Sequence, residues 1–354
     1  MQATERRRMA FEQVEDSLVQ EVLDEYGERV RRQLKRWLPT VAPRSYLDEL
    51  LADYPRRGGK MLRPCICLAA ARLLGADLDD AVASAVSIEL LHNALLIHDD
   101  IEDESDQRRG APTLHALHGV PLALNAGDAL GLLSLAPLKA NFGRLGSSLA
   151  LRIFEETERT AWASAEGQAL ELGWQRESRL DIDEEDYLTM VLLKTCWLAF
   201  IHPLRVGCLI GSRGRYDVDR LVRLGNFIGA AFQIQDDLLN LDSGASYGKE
   251  ADGDLREGKR TLMIIHALAH AAPAARARLQ RFLTLPRERR SAAEIRWVHG
   301  LIVRSGSMDH ARGVAAGLAG AALCEFERCF GSLAPSRDLS FLRAMPTWVL
   351  QRAH

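Results

Sequence analysis

The sequence has almost no excess of either charge: 45 Lys and Arg against 48 Asp and Glu leave a net −3 over 354 residues. That balance gives no bulk attraction to nucleic acid or to an anionic membrane, so neither is expected as a partner, and any phosphate must be gripped by locally placed cations. Cysteine is scarce as well. Cys65, Cys67, Cys196, Cys208, Cys324 and Cys329 show neither CxxC spacing nor a cluster with histidine, which excludes a thiolate metal site and makes buried, reduced thiols the expectation. The N-terminal MQATERRRMAFEQVEDSL lacks an apolar core and a small-residue cleavage site, so no secretory signal is expected and the chain should stay in the cytoplasm. The C-terminal apolar run GVAAGLAGAALC is far short of the ~20 residues that span a bilayer. No transmembrane segment is expected from it; Gly313 and Gly317, at GxxxG spacing, point instead to a close-packed core helix. Repeats of fixed period and low-complexity tracts are lacking, which excludes a solenoid.

What is present is an ordinary globular composition, 47% hydrophobic and 26% charged, patterned almost throughout at helical spacing. Leu47, Leu50 and Leu51, or Leu188, Val191 and Leu192, recur as on one helix face, and alternating strand-like runs are few. The expectation is an all-α, single-domain bundle over residues 1–354, built around a central cavity. Gly and Pro mark breaks near 55–59, 110–112, 211–214, 244–253 and at Pro286, none of them long enough to be a domain linker.

Two acidic segments follow apolar runs and are expected as facing helix ends. In IELLHNALLIHDDIEDESDQRRG, Asp99 and Asp103 stand four residues apart and share a helix face, with Asp100 adjacent. Like charges so close repel, and a hard divalent cation with oxygen ligands relieves them best; magnesium commonly bridges one or two carboxylates to substrate phosphates. In FQIQDDLLNLDSGASYGKEADGDLREGKRTL the pattern returns with Asp236, Asp237 and Asn240, followed by Lys249 and Lys259, just as Arg108 and Arg109 follow the first segment. Acids interleaved with cations suit a diphosphate held through metal on one side and Lys or Arg on the other. Upstream, YPRRGGKMLRP offers Gly58 and Gly59 for close backbone approach and Lys60 and Arg63 as cations; the GxxxxGK[ST] phosphate-loop frame is absent.

These segments carry a resemblance. GGKMLRP, LHNALLIHDDIEDESDQRRG, the NAGD of Asn125–Asp128, Gly167-Gln168, Lys194-Thr195, FQIQDD and Gly258-Lys259 occur in the order and spacing of the trans-isoprenyl diphosphate synthases, the polyprenyl synthetase family, across about residues 50–310. The chain most resembles geranylgeranyl diphosphate synthases. The resemblance implies an all-α prenyltransferase, a homodimer, that condenses isopentenyl diphosphate with an allylic diphosphate. It implies three magnesium ions held by Asp99, Asp100, Asp103, Asp236 and Asp237. Arg108, Lys194, Gln233, Lys249 and Lys259 would contact the allylic diphosphate, with Thr195 beside the reacting centre; Lys60, Arg63, His92 and Arg109 would bind isopentenyl diphosphate. Without it, His92 on an apolar face reads as a satisfied core histidine.

Two positions depart from the family pattern: Asn240 replaces the last aspartate of the second motif, and Glu171 stands where GQ is usually followed by aspartate. Asparagine keeps an oxygen but loses a charge. The residues one to three turns before Asp99, namely Leu95, Ala94, Leu91 and Ile88, are expected to wall the product tail, and small Ala94 favours a C20 product over farnesyl. A terpene cyclase would share the metal chemistry but needs no isopentenyl site, against which Lys60, Arg63, His92 and Arg109 argue. A non-catalytic subunit of a heteromeric synthase has only Asn240 in its favour.

Overall fold

The computed structural model describes residues 2–39, 46–242 and 252–351, with side chains from residue 16 onward. It is a helical bundle: α1 (Gln2–Leu34), α2 (Asp48–Arg56), α3 (Leu62–Leu73) and α4 (Leu78–Glu102) lead into a two-stranded hairpin of β1 (Gln107–Arg108) and β2 (Ala111–Pro112). Then come α5 (Leu114–His118), α6 (Val120–Ser134), α7 (Leu138–Leu145), α8 (Ser147–Arg176) and α9 (Glu184–Val191), which runs through a π-helical segment (Leu192–Ile201) into α10 (His202–Gly211). The chain finishes with α11 (Leu221–Asp242), α12 (Gly253–Glu257), α13 (Leu262–His270), α14 (Pro273–Leu283), α15 (Ala292–Arg304), α16 (Ser307–Phe330) and α17 (Arg337–Gln351). The all-α expectation holds.

Helix α4 is apolar nearly all round, and such a helix is stable only when surrounded; it packs against α3, α6, α1 and α7. Helix α11 lies against α16 on one side and the π segment on the other, and α8 covers that segment. One apolar core joins α1–α6 to α10, α11 and α17, a second joins α9, α11 and α13–α16, and Leu318 and Leu350 pack against both. The π segment is gripped through glycine: a methyl at Gly229 would stand 2.8 Å from Cys196 Cα, and one at Gly167 2.7 Å from Lys194 Cα. π-helical turns concentrate at functional sites, and this one carries Lys194 and Thr195.

Some expectations are corrected. Gly313 and Gly317 sit on the exposed side of α16 with open space beside them, so their spacing makes no helix contact. Cys324 is exposed, while the other five cysteines are buried. Pro55 lies inside α2 rather than ending it. Among the described residues, three helical stretches are long and apolar enough to cross a membrane: Leu78–Glu102, Val120–Leu145 and Glu184–Gly211. The first and third are 72% and 61% buried within the fold, since they are its central packing helices, whereas Val120–Leu145 is only 33% buried.

Candidate active site

Helix α4 ends in Asp99, Asp100, Glu102 and Asp103, carboxylates at the negative end of a helix dipole, where anions are disfavoured. The fold answers with cations from three elements. The β1–β2 turn places Arg109 at φ 55° and Gly110 at φ 73°, the paired left-handed geometry of a tight hairpin, and so folds Arg108 back over α4. Its guanidinium reaches Asp99 at 3.1 Å and Asp100 from Nε at 2.8 Å; burial opposes its charge, but Asp100 and Asp99 raise its pKa well above the ordinary range. Lys194 of the π segment lies 3.1 Å from Asp99 Oδ1 and also bonds Glu171. Burial would neutralise it; Asp99 and Glu171 hold it protonated. Lys259 bonds Asp103 at 2.7 Å and Glu257 at 2.8 Å.

Facing this wall, α11 presents Gln233, Asp236 and Asp237. Tyr187 donates to Asp237 Oδ2 at 2.8 Å, Gln233 Nε2 donates to its Oδ1 at 2.7 Å, and Thr195 donates to Gln233 Oε1 at 2.8 Å. This relay leaves the Thr195 oxygen with its lone pairs unspent while fixing its orientation. Burial pushes the Asp237 carboxyl up to about 7. Between the walls lies a cavity of about 600 Å³, lined by Asp99, Lys194, Thr195, Gln233, Asp236 and Lys259 at its polar end. Leu95, Leu96, Leu198 and Phe232 are among its apolar lining.

The same cavity reaches Arg63, His92 and Arg109. All three surround Glu89, whose carboxyl stays below its usual range although burial alone would raise it. His92 is held down to about 4, by burial first and then by Arg63. It is therefore neutral near pH 7 and can offer a hydrogen bond rather than a charge. Lys60 is exposed, with its ammonium 5.2 Å from the centre of the Trp348 ring rather than in the cavity lining. Lys249 lies outside the described residues.

Two expected metal ligands sit in hydrogen-bond networks of the protein itself. Asp100 is 1% exposed, with Oδ1 taken by Arg108 and Oδ2 by the Tyr54 hydroxyl; buried between these two donors, it positions Arg108. Asp237 is likewise occupied on both oxygens. Asn240 Oδ1 accepts the backbone N–H of Asp254 at 3.1 Å and so ties α11 to α12, which accounts for its oxygen without a metal. Asp99 and Asp236 line the cavity and Asp103 lines the cleft beside Asp99, which offers these three to a divalent ion. They fit one: the donors are all oxygen, Asp103 Oδ1 is buried with no hydrogen-bond partner, and burial raises the Asp103 carboxyl to about 7, a strain that a cation relieves. Among the described residues no three His, Cys, Asp or Glu side chains form a ready-made metal cage, so an ion here must complete its shell from diphosphate oxygens and water, as magnesium commonly does.

The product-wall expectation is also changed. Only Leu95 of the four residues lines the cavity; Ala94, Leu91 and Ile88 are buried in helix packing, and Ala94 lies 3.9 Å from where a methyl on Gly131 of α6 would stand. Sequence reasoning missed Tyr54, Tyr187, Glu102 and Glu257. Each is a lone residue outside the motifs read for chemistry, or unremarkable within them, and only packing reveals its role.

An all-α bundle whose cavity opens between two acidic helix ends, with cations interleaved, defines a transferase acting on prenyl diphosphates. The family model for Polyprenyl synthetase matches residues 44–302, and the chain belongs to that family. It is 34% identical over 301 residues to the short chain isoprenyl diphosphate synthase of Methanothermobacter thermautotrophicus, covering 84% of this chain and 88% of that one. Identity to the geranylgeranyl pyrophosphate synthase of Geoglobus acetivorans is 34% over 256 residues, 71% of this chain and 76% of the relative. Among solved structures, polyprenyl synthase from Caulobacter crescentus, complexed with calcium and isoprenyl diphosphate, superposes with a TM-score of 0.84 at 27% identity, covering 96% of this chain and 98% of that one. The protein is a prenyltransferase that elongates trans-prenyl diphosphates.

Proposed function

We propose that the chain makes geranylgeranyl diphosphate from isopentenyl diphosphate and an allylic primer, with magnesium held by Asp99, Asp103 and Asp236. The observation that carries this is the presence of both Asp99 and Asp236 in the lining of a cavity of about 600 Å³ with apolar residues elsewhere in its wall, with Asp103 in the cleft beside Asp99. Magnesium, when bound, supplies charge that draws off the departing diphosphate. Arg108, Lys194 and Lys259 hold that diphosphate, so the allylic C–O bond breaks with its electron pair leaving on oxygen. Thr195, oriented through Gln233, Asp237 and Tyr187, turns its oxygen dipole toward the allylic cation. Arg63, Arg109 and neutral His92, with Lys60 at the mouth, hold isopentenyl diphosphate so that its double bond attacks that carbon; a proton is then lost to the released diphosphate. Leu95, Leu198 and Phe232 exclude water from the cation.

The chain acts as one domain and as a homodimer in this reading. Exposed Leu122, Leu124, Leu132, Phe142, Leu151 and Trp162 on α6–α8 support the second point, because monomers rarely leave so many large apolar side chains in water. The test is incubation with magnesium, isopentenyl diphosphate and C5, C10 or C15 allylic diphosphate, followed by sizing of the dephosphorylated alcohols. A C20 alcohol is expected. A C15 or much longer alcohol overturns the product assignment, and no elongation from any primer overturns the whole reading.

A further inference from the structure

Helix α17 lies beyond the stretch matched by the family model, yet it packs on α3 directly after the glycine turn that carries Lys60. Trp348 is 9% exposed, fixed in the core between α17 and its neighbours, and it turns a ring face to the Lys60 ammonium at 5.2 Å. The local backbone leads the lysine there. Gly58 at φ 83°, Gly59 at φ 147° and Met61 at φ 54° swing the chain sharply before α3 begins. The Arg109 guanidinium packs against Gly59, where a Cβ would stand 3.0 Å from its Nη2, and Arg109 is anchored by donation to the Tyr54 carbonyl at 3.0 Å. Lys60 thus sits one residue from the Gly59–Arg109 contact, and Arg109 lines the cavity together with Arg63 and His92.

We propose that Trp348 is a positioning residue for isopentenyl diphosphate: its ring orders the Lys60 ammonium next to the glycine turn against which Arg109 packs, so that the diphosphate meets a prearranged cation. The inference rests on the reading of Lys60 as a diphosphate cation. Lysine is a compact point charge on a flexible four-carbon stem, and ordering such a stem opposes binding. A ring face takes one side of the ammonium and leaves N–H donors on the other, so the contact survives when the anion arrives. A cation–π contact at an exposed site is weak beside the charge-assisted bonds of a diphosphate. It orients the lysine without competing with the substrate.

The test is steady-state kinetics of Trp348→Leu, Trp348→Phe, Lys60→Met and the Trp348→Leu/Lys60→Met double variant, each beside a melting curve. Trp348→Leu is expected to raise KM for isopentenyl diphosphate about 3-fold, with kcat and the allylic KM unchanged, the scale of an exposed cation–π contact. Trp348→Phe should recover part of the loss, and in the Lys60→Met background the leucine change should add nothing. An unchanged isopentenyl KM in Trp348→Leu, equal rises in both KM values, or full additivity in the double variant overturns the proposal. Should the leucine variant melt early, the phenylalanine variant decides: a KM rise confined to isopentenyl diphosphate and absent in the Lys60→Met background supports the inference, and any other pattern overturns it. No effect of Lys60→Met on the isopentenyl KM would instead sink the underlying reading of Lys60.

Discussion

Tyr54 of α2 donates its hydroxyl to Oδ2 of Asp100 near the end of α4, while Arg108 occupies the opposite oxygen. The bond joins α2, which leads into the glycine turn before Arg63, to the helix end bearing Asp99. Burial, then Asp100, raises the Tyr54 hydroxyl well above its ordinary range, so it stays a donor at any working pH.

Tyr54→Phe leaves a buried carboxylate oxygen unsatisfied and loosens Arg108. Such an orphan costs about 1–3 kcal/mol, so unfolding free energy should fall by that order. Because Arg108 faces the leaving group, kcat should drop ~10-fold, about 1.4 kcal/mol of barrier. Denaturant unfolding and single-turnover kinetics check the two effects separately.

The contribution of His202 to stability should fall as pH drops from about 6.5 toward 4, opposing Asp103 and Asp237, whose raised carboxyls favour the folded chain on acidification. The ring is fully buried, its Nδ1 has no hydrogen-bond partner, and burial lowers its pKa from 6.5 to about 4, with Arg205 acting in the same direction and Glu156 opposing. Above pH 6.5 the ring is neutral in both folded and unfolded chains and contributes no pH dependence. Below it the unfolded chain takes up a proton that the folded chain refuses, and the loss is complete once pH passes below about 4. Across pH 8, 6 and 5 the urea midpoint of the native protein should fall relative to that of His202→Gln.

Leu95, rather than Ala94, is the lever on product length, because Leu95 faces the cavity and Ala94 faces Gly131. Leu95→Phe should shorten the main product by one C5 unit with the melting temperature nearly unchanged. Ala94→Phe should chiefly destabilise, by about 1–3 kcal/mol, the usual penalty of overfilling a packed seam. Chromatography of the alcohols beside melting curves tells the two apart.

Fold class and the polar end of the site were legible in the sequence because each rests on local spacing. Asp99 and Asp103 share a helix face at any orientation of the helix, and a four-residue interval declares it. Which of several adjacent carboxylates faces the cavity was not legible: Asp99 and Asp100 differ by one position, about 100° of rotation, and only Tyr54 and Arg108, placed by other elements, decide it. The cavity face of α4 was misread at Ala94 for the same reason, since that helix is apolar on every side and its pattern marks no inside. Nothing in the spacing of Lys60 foretold Trp348, which arrives from the other end of the chain.

The most direct measurement of the central claim, that facing carboxylates of α4 and α11 together hold the metal and diphosphate, is elongation by Asp99→Asn and Asp236→Asn over a magnesium series. The account expects each substitution to cut kcat/KM by ~1000-fold, about 4 kcal/mol of transition-state stabilisation, with melting temperatures close to the native value and higher magnesium demand in any residual activity. Native rates and an unshifted magnesium dependence in either variant would contradict it.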